Sequence, residues 1–269
     1  MKNLIGFFDS GVGGISVLHA ARNLLPRENY LYYGDNGNAP YGSRPVDEIH
    51  RLCEKSVRTL LARDVKAIVI ACNTATSVYA ETLRSQVDIP VIGMEPALKP
   101  AQLARHGGNV LVLATRATLS LPKFQRLMSL YGENAVPVVG TGLVELVENG
   151  YANTPLADET VLRLLEPFRK QVVDSIVLGC THYPFLYDSV RKALPGVEIY
   201  DGRRGTVLRL KSLLESNGLL SCAETGTVEF QTSGDDAVLP MMRHLLRTLE
   251  HPDPAHSDAQ ACTKESALI

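Results

Sequence analysis

What is missing narrows this sequence first. No CxxC pair occurs in its 269 residues, and its five cysteines are an odd number. A paired zinc framework or a disulfide scaffold is therefore not expected. Lys plus Arg, 27, nearly balance Asp plus Glu, 29, which removes the basic footprint of a dedicated nucleic-acid binder. No stretch approaches the ~18 apolar residues of a membrane span, so neither nucleic acid nor membrane is an expected partner. The opening MKNLIGFFDSG reaches Asp9 too early to supply a signal-peptide apolar region, and a cytoplasmic protein is expected. The glycines of FFDSGVGGIS, residues 7–16, lack the G-x-G-x-x-G spacing, and their acidic residue stands in front of them. That order disfavours dinucleotide binding.

What is present is an ordinary apolar fraction, 45%, enough for a sizeable core. The length leaves room for two compact domains or one large α/β unit. Short apolar runs predict strands at Leu4–Phe8, Tyr30–Tyr33, Ala67–Ala71, Val91–Gly93, Val110–Ala114, Val136–Val139, Ser175–Leu178 and Glu198–Tyr200, with a further strand in GTVEFQTS. Amphipathic segments at 46–63, 75–86, 119–130, 157–172 and 237–249 predict helices. Such alternation means βαβ crossovers, and the runs are continuous, as buried parallel strands require. The fold class is α/β.

One arrangement occurs twice. IVIACNTAT, residues 68–76, and IVLGCTHYP, residues 176–184, each place a cysteine between an apolar strand and a helix-start signal, Thr74 in one and Pro184 in the other. The repetition predicts two similar α/β domains facing one another, each with a mainly parallel sheet flanked by helices. We place the first at 1–96 plus 208–269, with a mobile tail from about 251, and the second at 97–207. Cys53 lies on the helical stripe Ile49, Leu52, Cys53, Ser56, Val57 and is expected in the core. Cys222 and Cys262 carry no local signal.

In open parallel sheets, functional groups gather at the carboxyl ends of strands, where Cys72 and Cys180 stand. The amides of the following turns can bind a carboxylate and can depress a thiol pKa. A small anionic substrate suits such a site. Cys180 with His182 can be read as a nucleophile and its base, but that leaves Cys72 unexplained. Metal binding lacks paired CxxC or helical His spacing. Two acid–base groups reaching one carbon from opposite faces would use both thiols and invert a stereocentre. Inert core cysteines in an amino-acid-binding module remain a further alternative.

In order along the chain, DSGVGG, an acidic turn with PYG, ACNTAT, IGMEPALKPA and GCTHYP together resemble the glutamate racemases of the aspartate/glutamate racemase superfamily, from about Ile5 to about Leu214. The resemblance implies a pseudo-symmetric two-domain isomerase with glutamate between the domains, no cofactor and no metal. It would supply D-glutamate for peptidoglycan, and so for cell-wall biogenesis and cell shape, as a homodimer. It implies catalytic roles for Cys72 and Cys180, assisted by Asp9 and His182. Substrate binding would fall to Asp9, Ser10, Tyr41, Gly42, Asn73, Thr74, Thr115, Thr118, Thr181 and His182, with Asp35 and Glu148 in support. An aspartate racemase of the same superfamily is the nearest alternative. The family's usual Cys-Pro before LVE is absent from VVGTGLVELVENG, and its Asp-Ser-Gly is Asp201-Gly202-Arg203 here. With the first strand starting almost at Met1, control through an N-terminal extension is not expected.

Overall fold

The computed structural model describes residues 3–250. The tail from 251, with Cys262, lies outside the described residues. Among the described residues nine strands form: β1 (Leu4–Asp9), β2 (Asn29–Gly34), β3 (Ala67–Ile70), β4 (Val91–Gly93), β5 (Asn109–Ala114), β6 (Ala135–Val139), β7 (Val173–Leu178), β8 (Glu198–Asp201) and β9 (Val228–Thr232). They make two wholly parallel sheets, in the orders β4-β3-β1-β2-β9 and β6-β5-β7-β8. Burial follows position. All four residues of β3 are buried, as are the last four of β7, while the edge strands β8 and β9 have none.

The two sheets share one plan. Read outward from the same side, β4-β3-β1-β2 corresponds to β8-β7-β5-β6. Phe8 pairs with Ile70 in the first sheet, and Leu113 with Leu178 in the second. Two residues beyond each pair stand Ser10 with Cys72, and Thr115 with Cys180. The register therefore puts the cysteines in equivalent places, each at the carboxyl end of a strand beside the central one. A continuous apolar cluster containing Ile5, Phe7 and Tyr32, then Val207 and Leu210, then Leu111 and Ile176 joins the two halves. Helix Arg203–Ser216, which runs through the expected return point near 207, packs against helix Ile15–Leu24.

The helices depart from expectation at their ends. The helix after Cys72 starts at Asn73 rather than after Thr74, because the cysteine is its cap and its sulfur accepts from the Ala75 amide. After Cys180 a 3₁₀ turn, Tyr183–Leu186, precedes helix Tyr187–Ala193. The segment expected as one helix over 119–130 is two, Arg116–Ser120 and Pro122–Tyr131. They break at Leu121, which takes the extended backbone favoured before proline. Helix Pro155–Leu165 stops short of 172, followed by a 3₁₀ turn that includes Pro167, a residue without an amide to donate. Helix Val46–Leu61 forms as expected and buries Cys53.

Candidate active site

The carboxyl ends of both sheets open on one cleft of about 300 Å³, counted to include the space open to solvent. Ser10, Tyr41 and Gly42 line it with Cys72, Asn73 and Thr74 from the first sheet's side. Thr115, Thr118, Cys180, Thr181 and His182 line it from the second. Three of the sequence-predicted residues, Asp9, Asp35 and Glu148, are absent from its lining and stand behind it, hydrogen-bonded to the lining residues Thr181, Tyr41 and His182. Pro40, Val144 and Gly179 line it without having been anticipated.

On the first side, the Cys72 sulfur lies 3.5 Å from Ser10 Oγ and accepts from the Ala75 amide at 3.4 Å. Burial nevertheless pushes the Cys72 thiol up to about 12. The Asp9 charge adds to the rise, and the Ala75 and Ser10 hydrogen bonds oppose it. The Ala75 amide acts downward, as expected of a turn amide, and desolvation outweighs it. Ser10, not Asp9, is the group against the sulfur. The Asp9 carboxylate is occupied, one oxygen accepting from the Gly11 amide at 2.9 Å and the other from the Thr181 hydroxyl at 3.0 Å. Burial raises the Asp9 carboxyl above its usual range, opposed first by the charge of His182.

On the second side, the Cys180 sulfur is 3.6 Å from His182 Nδ1, and His182 Nε2 is 2.6 Å from Glu148 Oε1. Burial would lower the imidazole, but its hydrogen bonds to Cys180 and Glu148, with their charges, hold it well above the usual histidine range. Burial acts upward on Glu148, yet the His182 hydrogen bond and charge, with the Val12 amide and Asn36, keep its carboxyl below the usual range. The pair is therefore imidazolium and carboxylate. The imidazolium has a proton on each ring nitrogen, one directed to Glu148 and one to the Cys180 sulfur.

Across the cleft mouth, Thr74 Oγ1 lies 3.2 Å from Thr115 Oγ1 and 3.0 Å from Thr118 Oγ1, a hydroxyl cluster joining the two sides. Tyr41 donates to Asp35 at 2.5 Å, which also accepts from Asn38. Asn73 is distinct from all of these. Both polar atoms of its buried amide lack a hydrogen-bond partner, which is costly unless a ligand satisfies them.

Close approach leaves no free room for a Cβ at any of the three glycines of DSGVGG. A Cβ on Gly11 would meet Glu148 Oε1 at 1.8 Å, and one on Gly13 would meet His182 Nδ1 at 2.4 Å. The bare backbone lets the second side's ion pair press against the first side's turn. Asn36, whose side chain reaches Glu148, was not singled out from the sequence, because its partner is 112 residues away. Among the described residues, no group of three or more His, Cys, Asp or Glu could hold a metal ion, and no helix is long and apolar enough to cross a membrane.

Comparison with known proteins places this cleft in context. The family model described as Asp/Glu/hydantoin racemase matches residues 16–208. A glutamate racemase of Clostridium perfringens is 44% identical over 253 residues, which covers 91% of this chain and 97% of that protein. The glutamate racemase of Thermus thermophilus, solved in complex with β-chloro-D-alanine, is 36% identical with a TM-score of 0.78, covering 91% of this chain and 93% of its own. That of Escherichia coli, solved with L-glutamate and the activator UDP-MurNAc-Ala, is 31% identical with a TM-score of 0.79, covering 91% and 95%.

Proposed function

The chain belongs to the Asp/Glu/hydantoin racemase family, and we propose that it interconverts L- and D-glutamate with Cys72 and Cys180 as its two acid–base groups. One observation carries this reading: two sheets of the same strand order deliver one thiol each, at equivalent register positions, to a single cleft. Inverting a carbon by proton transfer needs a base on one face and an acid on the other, and a duplicated strand end supplies both.

The α-hydrogen of an amino acid is a weak acid beside an ammonium and an ionised carboxylate. Charge that develops on the carboxylate as the proton leaves must be met by preorganised donors. The Asn73 amide has no protein partner to give up, and Thr74 and Thr181 line the same cleft. In the L-to-D direction, the Cys180 sulfur, as thiolate against the His182 imidazolium, takes the α-proton. Cys72, held as a thiol by burial, returns a proton to the opposite face. The sulfurs finish with their protonation exchanged, and solvent resets them. Both proton steps are thus supplied by side chains, without pyridoxal phosphate or metal. We also assign the protein to supplying D-glutamate for peptidoglycan, as a homodimer.

The test incubates purified protein, dialysed against chelator, with L-glutamate in deuterated water, with L-aspartate in parallel. Loss of optical rotation with solvent deuterium at the α-carbon is expected for glutamate. A β-chloroalanine needs only one base. Its α-proton goes to sulfur, chloride leaves the β-carbon, and the aminoacrylate hydrolyses to pyruvate and ammonia. Cys72→Ala should release pyruvate from the L-form alone and Cys180→Ala from the D-form alone, with racemisation abolished in both. Racemisation near the wild-type rate in either variant would refute the two-thiol mechanism.

A further inference from the structure

His182 has a partner, and that partner is itself held. Glu148 ends helix Leu143–Glu148 on the second side of the cleft, yet its donors come partly from the first. Its Oε1 accepts from the Val12 amide at 2.8 Å and faces His182 at 2.6 Å. Its Oε2 accepts from Asn36 Nδ2 at 3.2 Å. Asn36 opens the short turn after β2, and its own orientation is fixed from behind. Its Oδ1 accepts from the Thr232 hydroxyl at 3.3 Å, at the end of β9. With a carboxylate on one side and a donating hydroxyl on the other, the amide has a single sensible orientation.

We propose that Asn36 is a positioning residue for this reaction: from the first sheet it holds the Glu148 carboxylate that partners His182, and so prepares the Cys180 face of the cleft. The inference rests on the two-thiol reading. The chain of contacts runs Thr232, Asn36, Glu148, His182, Cys180, from the edge strand of one sheet to the reacting sulfur of the other. Cys72 is held differently, by Ser10 and the Ala75 amide. Val12, His182 and Asn36 are the donors that keep the Glu148 oxygens aligned with Nε2. If Asn36 is lost, the carboxylate can turn about its last bond, and the proton on Nδ1 is no longer held toward the sulfur. The damage is therefore one-sided: abstraction from the L-substrate suffers, and abstraction from the D-substrate does not.

The test uses pyruvate release from L- and D-β-chloroalanine by the full-length protein. Asn36→Ala is expected to lower kcat/KM for the L-form about tenfold, the worth of one hydrogen bond to a charged group, and to leave the D-form within about twofold. Thr232→Val should act in the same direction and less. Asn36→Asp sets a second carboxylate against Glu148, so the two resist joint ionisation. The acid limb of the L-form pH profile should then move to higher pH, a change that a purely structural defect would not cause. Thermal unfolding of each variant separates misfolding from misalignment. Equal loss for both hands in folded Asn36→Ala, or an unmoved acid limb in Asn36→Asp, overturns the assignment. Cys72→Ala and Cys180→Ala run in the same assay report separately on the two-thiol reading. Opposite hands in those variants with no hand preference at Asn36 would sink this inference alone.

Discussion

At Gly11 a carboxylate lies closer to the backbone than any side chain at that position permits. An added Cβ would be 1.8 Å from Glu148 Oε1 and 2.7 Å from its carboxyl carbon, whereas real Cβ contacts essentially never fall below 3.0 Å. In Gly11→Ala the carboxylate must therefore withdraw by about 1 Å or more, which carries Oε1 out of good hydrogen-bonding range of its partners. The contacts at stake are those with the Val12 amide, 2.8 Å, and His182 Nε2, 2.6 Å. Each is a hydrogen bond to a charged group, about 1.5–3 kcal/mol. Because they share one oxygen they do not add in full. We expect about 2–4 kcal/mol on the barrier, or kcat/KM for glutamate lowered about 30- to 1000-fold. The equilibrium between enantiomers is unity, so both directions of racemisation fall together. Pyruvate release from L- and D-β-chloroalanine reads the hand, and the L-form should lose more. Glu148 is the far end of a flexible side chain, so the fold should accommodate the methyl group, and urea unfolding checks this. Adding Gly11→Ala to Glu148→Gln should cost little beyond the single change. Racemisation within threefold of wild type, or multiplicative losses in the double variant, would refute the reasoning.

Asn73→Ala removes an amide with no protein partner. It should leave urea stability unchanged or slightly raised, while weakening glutamate binding by about 1.5–3 kcal/mol, read as KM raised tenfold or more. An equal loss of stability would show that the amide serves the fold. His19 has its pKa lowered to about 4 by burial and by the charges of Arg203 and Arg22. The unfolded chain therefore takes a proton near pH 6.5 before the folded one does. This group's contribution to stability is complete above pH 6.5 and is lost as pH falls toward 4. The full linkage, discounted for the ring's partial exposure, is about 1–2 kcal/mol. His19→Asn should flatten the urea-unfolding profile between about pH 6.5 and 4.5, and an unchanged slope would count against it.

The strands were legible because each is a short apolar run closed by turn residues. In AIVI and VLVLA the run is apolar at every position, and every side chain is buried. Cys72 and Cys180 were legible because the same strand end recurs, and the register makes them equivalent in the fold. Helix starts were less so. Thr74 has the chemistry of a cap, yet its hydroxyl is spent on Thr115 and Thr118 across the cleft, and the sulfur takes the capping role. The state of Cys72 is not legible in the sequence, for a reason of scale. Sequence shows the amides that would lower a thiol, but not the burial that outweighs them. Asn36 gave no local sign of purpose, and the glycines at 11 and 13, though part of a recognisable motif, did not show that what they face comes from the far side of the cleft.

A symmetric scaffold presents its two cysteines alike, and the side chains beside them make the two positions unequal. Position for position, Thr74 corresponds to His182, each two residues beyond its cysteine. The threonine makes a neutral hydroxyl cluster, whereas the histidine makes an ion pair. Burial first, and the nearby Asp9 charge second, favour the thiol at Cys72. Beside Cys180 stands the His182–Glu148 pair, which has no counterpart at Cys72. Under the proposed two-thiol reaction, inversion requires one proton between two sulfurs, and a second proton or none would leave a base or an acid missing. In the proposed reaction fold duplication supplies the two faces, and the divergence of single positions beside them sets a neutral hydroxyl cluster on one side and an ion pair on the other.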